Sequence, residues 1–418
     1  MPANRREFLI SSAAAVAAAT LLPRALHAAG PTSKAKKPLR ILILGGTGFL
    51  GPACTESALA RGHAVTHFNS GRTEERRKEI GRPTVVPTGV ETLYGNRDPN
   101  KTAADRKADG KPDAAKDPSS PKGLTQLAGK KWDAVIDTSG FFPRMVKASA
   151  TLLAPIVRQY VYISSISAYK DVSAPNFDEN APLATLSDPN VEEFGKDFAN
   201  YGGGKAACEK AAEAAMPGRV TSVRAGFIVG PRDMSGRFTY YPVRASMGGG
   251  MILPGKPTDP IQLIDVRDLA DWLVHCIEDN VTGTYNVTGP AKEMTMSAMA
   301  EGVKKGVGSN VTFTWMDNDF LKTQGLDEDM FPLYTSSTGG AQAGIHRANI
   351  ARALAKGLKF RSVADTAKAT LDWYKTLPPD LQARAAPQFA KNPKEPKEEL
   401  MMDKEKRALA AWQAKKKP

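Results

Sequence analysis

Cysteine is scarce in this chain. Its 418 residues include only Cys54, Cys208 and Cys276, far apart and without a CxxC pair. That excludes a disulfide framework and a thiolate zinc site. Cys54 and Cys208 lie beside alanines in helical patterns, where a free thiol acts as a small buried hydrophobe. There are five histidines. Only His63 and His67 have the i, i+4 spacing of a metal-binding helix, and those two flank a strand-like run, so no metal site is expected. Long apolar runs are missing too. Apart from Ile10–Leu22, which is too short to span a bilayer comfortably, no stretch approaches transmembrane length.

The net charge is +13, which could suit an acidic partner. Part of the excess lies in the first 40 residues. Another part lies in the tail, where Lys391–Pro418 carries nine Lys/Arg against five Asp/Glu. No basic block is interleaved with aromatics, so solvated termini explain the charge and no nucleic-acid partner is expected. With 41% hydrophobic residues, the chain can bury one or two cores.

The first thirty residues read as an address. Arg5-Arg6-Glu7-Phe8-Leu9 precedes the apolar stretch, and the small residues around Ala25-Leu26-His27-Ala28 follow it. A charged start, a short apolar core and small residues at a cleavage point make a secretory signal. The paired arginines resemble the twin-arginine type. Residues 1–30 are therefore expected to engage the twin-arginine translocation machinery. Their removal would leave a periplasmic protein with no stable membrane insertion.

Leu39–Leu44 is an apolar, branched run of the kind found in a buried parallel strand. It ends in Gly45-Gly46-Thr47-Gly48-Phe49-Leu50-Gly51, after which a helical pattern runs to Arg61-Gly62 and a second strand-like run covers Ala64–Phe68. Gly46, Gly48 and Gly51 satisfy GxGxxG in the strand–turn–helix–strand setting that a dinucleotide site requires. Pyrophosphate would sit over open N–H groups at the helix start. The ribose position about 20 residues on holds neutral Asn69, followed by Ser70, Gly71 and Arg72. A neutral residue and a nearby cation favour NADP over NAD.

Val90–Tyr94 is a third strand-like run, Trp132–Asp137 gives a fourth strand ending in Thr138-Ser139-Gly140, and Tyr160–Ile163 a fifth ending in Ser164-Ser165-Ile166-Ser167. Carboxyl ends of parallel strands are where such sheets bind ligands. Downstream, Tyr201-Gly202-Gly203-Gly204-Lys205 opens an Ala-rich helix. Tyr and Lys four apart share a helix face, and an ammonium near a phenol favours phenolate. That predicts an acid/base pair. The three glycines argue against it, each weakening a helix by about 1 kcal/mol relative to alanine.

Taken together, these motifs resemble the extended short-chain dehydrogenase/reductases of the NAD-dependent epimerase/dehydratase type, from about Leu39 to Trp373. The resemblance implies an α/β fold: a doubly wound parallel-sheet Rossmann fold with a smaller C-terminal substrate lobe. It assigns Ser165 as the catalytic serine, with Ser164 and Ser167 as alternatives, beside Tyr201 as acid/base and Lys205, which also serves the cofactor. Gly95-Asn96-Arg97-Asp98 resembles the element near the adenine, with Asn96 in place of the usual Asp. Val223–Pro231, Gln262–Ala270 and Gly283–Val287 resemble later structural motifs of the family.

The expected organisation is a Rossmann domain over 38–225, interrupted by a polar insertion at 99–122. A substrate lobe with interleaved Rossmann elements follows over 226–376, then a polar tail over 377–418 with a last short helix. The implied function is NAD(P)-dependent hydride transfer on a small sugar-like or hydroxy/keto substrate, epimerase-like or internally recycling. The family also pairs as homodimers through helices, although no residue here marks such a face. The alternative is a non-catalytic nucleotide- or ligand-binding protein on the same fold, as in atypical members that lack the catalytic pair.

Overall fold

Branched apolar segments separated by helical stretches of about a dozen residues dictate parallel strands with helical crossovers. In the computed structural model, described over residues 34–71, 74, 86–99, 123–191, 193–326, 330–390 and 399–415, that expectation holds. Strand β1 (Arg40–Leu44) leads through the glycine turn into helix α1 (Leu50–Ala60) and strand β2 (Ala64–Asn69). Gly62, at φ +91°, takes the left-handed turn after α1. Strand β3 (Glu91–Tyr94), strand β4 (Ala134–Asp137), helix α2 (Pro143–Leu153), strand β5 (Gln159–Ser165), helix α3 (Tyr201–Ala215) and strand β6 (Val220–Ala225) follow.

The smaller lobe begins with β7 (Ile228–Val229), α4 (Tyr240–Ser246), β8 (Gly250–Pro254), β9 (Pro260–Ile261) and β10 (Ile264–Asp265). Helix α5 (Val266–Glu278) and strand β11 (Gly283–Val287) then return to the main sheet, and the chain goes back to the lobe through β12 (Met294–Thr295), α6 (Met296–Val307) and β13 (Thr312–Met316). Seven parallel strands lie in the order β11-β6-β5-β4-β1-β2-β3. The order reverses between β1 and β4, the switch point at which such sheets bind ligands. Residues from Lys34 onward pack as one compact unit.

Two findings add to the sequence reading. The three glycines of α3 do not break it, and the helix runs from Tyr201 to Ala215. Two of them, Gly202 and Gly203, allow close approach. A Cβ on Gly202 would lie 2.2 Å from the Ser167 carbonyl oxygen, and one on Gly203 2.9 Å from the Leu186 nitrogen. The second concerns the tail, whose last helix packs against the lobe. Helix Met401–Lys415 buries Met401 and Ala408. Glu405 of this helix reaches between two parts of the lobe: it accepts the Ile252 N–H at 2.8 Å and pairs with Arg244 at 2.5 Å. Residues 1–33, Arg72 and nearly all of the 99–122 insertion fall outside the described residues.

Candidate active site

The C-terminal ends of β1 to β5 enclose a cavity of about 470 Å3. Gly45, Thr47, Gly48, Phe49 and Leu50 line it from the glycine turn, and Asn69, Ser70, Asn96 and Arg97 from β2 and β3. Thr138 and Ser139 close it from β4, with Phe141 and Ile163 at the far end. Most of the residues expected at a nucleotide are thus gathered round one space.

The turn's glycines divide the work. A Cβ on Gly46 would lie 2.3 Å from the His67 ring, and one on Gly51 2.2 Å from the Gly45 carbonyl oxygen, so these two permit turn and helix to pack. Gly140 acts similarly beneath the site, where a Cβ would meet Val146 and Asp137. Gly45 has φ +94°. A Cβ on Gly48 meets nothing within 4 Å, so there the backbone faces open space. No side chain caps α1 and no acidic residue occupies its first turn. Its leading N–H groups therefore face the cavity as a ready anion site. The cradle fits a pyrophosphate. Gly48→Ala is expected to weaken nicotinamide-nucleotide binding at least tenfold with Tm unchanged, whereas Gly46→Ala should lower Tm. Isothermal titration and thermal unfolding of the two variants check the pair, and an equal Tm loss in both would defeat this division.

His67 is the residue beneath the turn. Thr55 donates its hydroxyl proton to the Gly51 carbonyl at 2.9 Å, so the imidazole Nε2 must donate to Thr55 at 2.7 Å. Nδ1 keeps a lone pair without a partner, and burial holds the ring's pKa down at about 4. His63 is spoken for as well, accepting the Leu39 N–H and meeting Glu278. Both histidines are structural.

Under the cavity lies a buried ion pair whose carboxylate closes the fourth strand. Arg97 makes two bonds to Asp137, at 2.5 and 2.7 Å, and reaches Ser139 and Ser149. Tyr160 donates to the same carboxylate at 2.7 Å. Burial pushes the Asp137 carboxyl up, but the Arg97 charge and the hydrogen bonds from Arg97, Tyr160 and the Ser139 N–H together outweigh it and hold it below the usual range. Arg97 thus braces the cavity floor with a guanidinium committed to protein groups. Asp98, next in the chain, is held by Arg144 at 2.7 and 2.8 Å.

At the other end the three serines separate. Ser164 is buried and donates to Glu209, which pairs with Arg224 at 2.8 Å. Ser167 is exposed and its carbonyl oxygen packs under Gly202. Ser165 accepts the Ser167 N–H at 3.1 Å, and its side chain lies near enough to the Tyr201 phenol to act on its proton equilibrium. The Tyr201 phenol therefore meets Ser165 at the end of β5, two residues beyond Ile163.

Lys205 does something different from what its spacing suggests. Its ammonium donates to the carbonyls of Ile163, at 2.6 Å, and Gly140, at 3.1 Å, and lies 4.5 Å from the Tyr162 ring centroid. Burial pulls its pKa down to about 8. Tyr201 is pushed up by burial, opposed by the nearby Ser165 side chain and the charge of Arg237. The shift is towards the protonated phenol, and its causes are burial, Ser165, Arg237 and Cys208 rather than Lys205. The reason is geometric: the ammonium points to the strand ends, where two carbonyls hold it.

Sequence reasoning missed an aromatic shell. Phe194 lies 5.9 Å from the Tyr201 ring and 5.5 to 6.0 Å from Phe142, Phe198 and Phe141. Phe141 and Phe198 stay 43% and 66% exposed. No periodic signal marks these loop aromatics. Glu74 was missed for the same reason. It accepts from Thr47 at 3.0 Å and from the Asn69 amide at 2.9 Å.

This fold and cavity define a Rossmann-type dinucleotide architecture. Residues 41–288, more than half of the chain, match the model of the NAD dependent epimerase/dehydratase family, and the chain belongs to that family. The epimerase family protein SDR39U1 of Bos taurus is 26% identical over 279 residues, covering 65% of this chain and 81% of that protein. Among solved structures, the Bordetella bronchiseptica enzyme WbmH in complex with NAD+ has a TM-score of 0.54 at 16% identity, covering 81% of this chain and 99% of that one. WbmG from the same organism, in complex with NAD and UDP, gives 0.53 at 17%, covering 81% and 95%. At these identities the solved structures establish the shared fold alone.

Proposed function

We propose that the chain is a nicotinamide-dependent oxidoreductase of epimerase/dehydratase type, acting on a small sugar-like or hydroxy/keto substrate. The observation that carries this reading is the Tyr201–Ser165 pair at the end of β5, beside a cavity whose open glycine and uncapped helix suit a dinucleotide. The cofactor, when bound, supplies hydride chemistry at a carbinol or carbonyl carbon. Tyr201, kept protonated by burial, gives a proton to the substrate oxygen or takes one back, and Ser165 holds that oxygen. Lys205 carries a positive charge below about pH 8 and fixes the carbonyls of Ile163 and Gly140, so it positions the strand ends. The exposed faces of Phe141 and Phe198 suit the C–H face of a ring-shaped substrate.

A second reading, a nucleotide- or ligand-binding protein without turnover, draws on the commitment of the Lys205 ammonium to backbone carbonyls. Our reading also includes twin-arginine export to the periplasm, on the strength of Arg5-Arg6 and the apolar stretch after them. Outside the cytoplasm a cofactor that stays bound and is regenerated each turn suits redox-neutral chemistry better than exchange with a pool. One experiment tests these points together: recover the mature protein from the periplasm, denature it and identify the nucleotide released. About one equivalent of NAD or NADP is the expected result. Release of none, with no micromolar binding of added NAD(P)H, would overturn the cofactor assignment.

A further inference from the structure

Helix α3 carries Tyr201, Lys205 and Glu209 four residues apart, on one face. All three close on the end of β5. Lys205 donates to the Ile163 carbonyl at 2.6 Å, Glu209 accepts the Ser164 hydroxyl proton, and the Tyr201 phenol lies beside Ser165. Glu209 is held from a second strand as well, by Arg224 at 2.8, 3.1 and 3.2 Å. Arg224 pairs in register with Ser164 on one side and with Asn286 of β11 on the other. Ser164, Arg224 and Asn286 thus form a buried polar row across β5, β6 and β11, one residue below the level of Ser165. The row is tied to the loop beyond β5: Arg224 lies 4.8 Å from the Tyr169 ring centroid, and Tyr169 donates to Asn286 at 2.6 Å.

We infer that Glu209 is a positioning residue: its grip on Ser164 and Arg224 sets the height of α3 along β5, and so places the Tyr201 phenol at Ser165. The inference rests on the reading of Tyr201 and Ser165 as the reacting pair. Desolvating a buried ion pair offsets much of its attraction, so stability alone gives little reason for one here, whereas its fork geometry specifies a single arrangement. Helix α3 needs such an anchor. Three glycines follow Tyr201, each a weaker helix former than alanine by about 1 kcal/mol. Gly202 also packs so closely that a Cβ would lie 2.2 Å from the Ser167 carbonyl oxygen. That contact suits one height of the helix, and a slide either opens it or drives it into collision. Glu209 grips two turns further on, about 12 Å along the axis, where alanines replace the glycines and the helix is stiff enough to pass the constraint back.

Carbon-13 NMR of the full chain labelled at tyrosine Cζ tests this, with Tyr201→Phe identifying the Tyr201 signal among the ten tyrosines. Two variants disturb the grip without leaving a buried charge unpaired. Glu209→Asp keeps the charge opposite Arg224 but shortens the reach, and Ser164→Ala removes only a hydroxyl. In both, the Tyr201 signal is expected to shift or split, with a Tm loss of only a few degrees. Ser164→Thr, which keeps the hydroxyl, should bring the signal back towards its wild-type place. Turnover of aldoses, uronic acids and 2-hydroxy acids, followed by nucleotide absorbance, should show kcat lowered at least tenfold at little-changed KM, since a misplacement of about 1 Å can cost on the order of 10² in rate. A Tyr201 signal unmoved in both variants overturns the inference, as does full turnover in both. If the wild type turns over none of these substrates, the reading of the reacting pair fails, and the NMR signal alone decides whether Glu209 places the phenol.

Discussion

Tyr201→Phe should lower kcat by roughly 10²- to 10⁴-fold, the range that loss of a positioned proton donor produces, while nicotinamide-nucleotide affinity stays within about twofold of wild type. The substitution removes one oxygen and little else. The ring stays within the Phe194 and Phe198 shell, and Gly202 beside it still packs on the Ser167 carbonyl. What goes is the hydroxyl that meets Ser165. Burial raises the phenol's pKa, so in the proposed reaction Tyr201 would enter as a donor, and phenylalanine offers no proton to give. Turnover followed by nucleotide absorbance over a panel of hydroxy and keto substrates, with calorimetry for affinity, checks both halves. A binding protein without turnover would show the same behaviour in both forms. A kcat unchanged in an active enzyme would remove Tyr201 from the chemistry.

Asp137→Ala is expected to destabilise the fold by about 3–5 kcal/mol, the usual penalty for stripping one partner from a buried ion pair. Asp137 is fully buried and accepts from Arg97, Tyr160 and the Ser139 N–H. Its removal leaves a guanidinium in a dry interior, tied only to serine hydroxyls and, at 3.4 Å, the Met145 carbonyl. The midpoint of urea unfolding at unchanged slope gives the measurement. Replacing both members together, as Arg97→Met with Asp137→Leu, should recover most of the loss, since an apolar pair needs no solvation. A single-variant loss below about 1 kcal/mol would mean that water reaches the guanidinium.

What could be read in the sequence was what is local. Leu39–Gly51 announced itself because a branched apolar strand, a glycine turn and a helix sit end to end, each with its own short-range signature. Tyr201 and Lys205 stood out through helical spacing. Spacing could not say where the Lys205 ammonium points, because Gly140 and Ile163 come from distant strands. The glycines between them looked like a helix fault. Their reason, the Ser167 carbonyl and the Leu186 backbone pressed against α3, is tertiary. Asp137 closed a recognised strand, yet nothing in its neighbourhood named Arg97, forty positions earlier, as its partner. Glu74 lies in a charged run with no periodicity, and only the folded backbone brings it to Thr47 and Asn69.

The Glu405 clasp has a consequence for the order of events at the ribosome. Strand β8 offers the Ile252 N–H, and its partner carboxylate lies 153 residues further along. At a synthesis rate of about 5–20 residues per second, that separation is roughly 8–30 s. For that interval the strand edge and the Arg244 guanidinium wait without their partner, while the N-terminal strands β1 to β6 already have every neighbour they need except β11. The nucleotide half of the molecule can thus take shape during translation, whereas the lobe completes its core only as the last helix emerges.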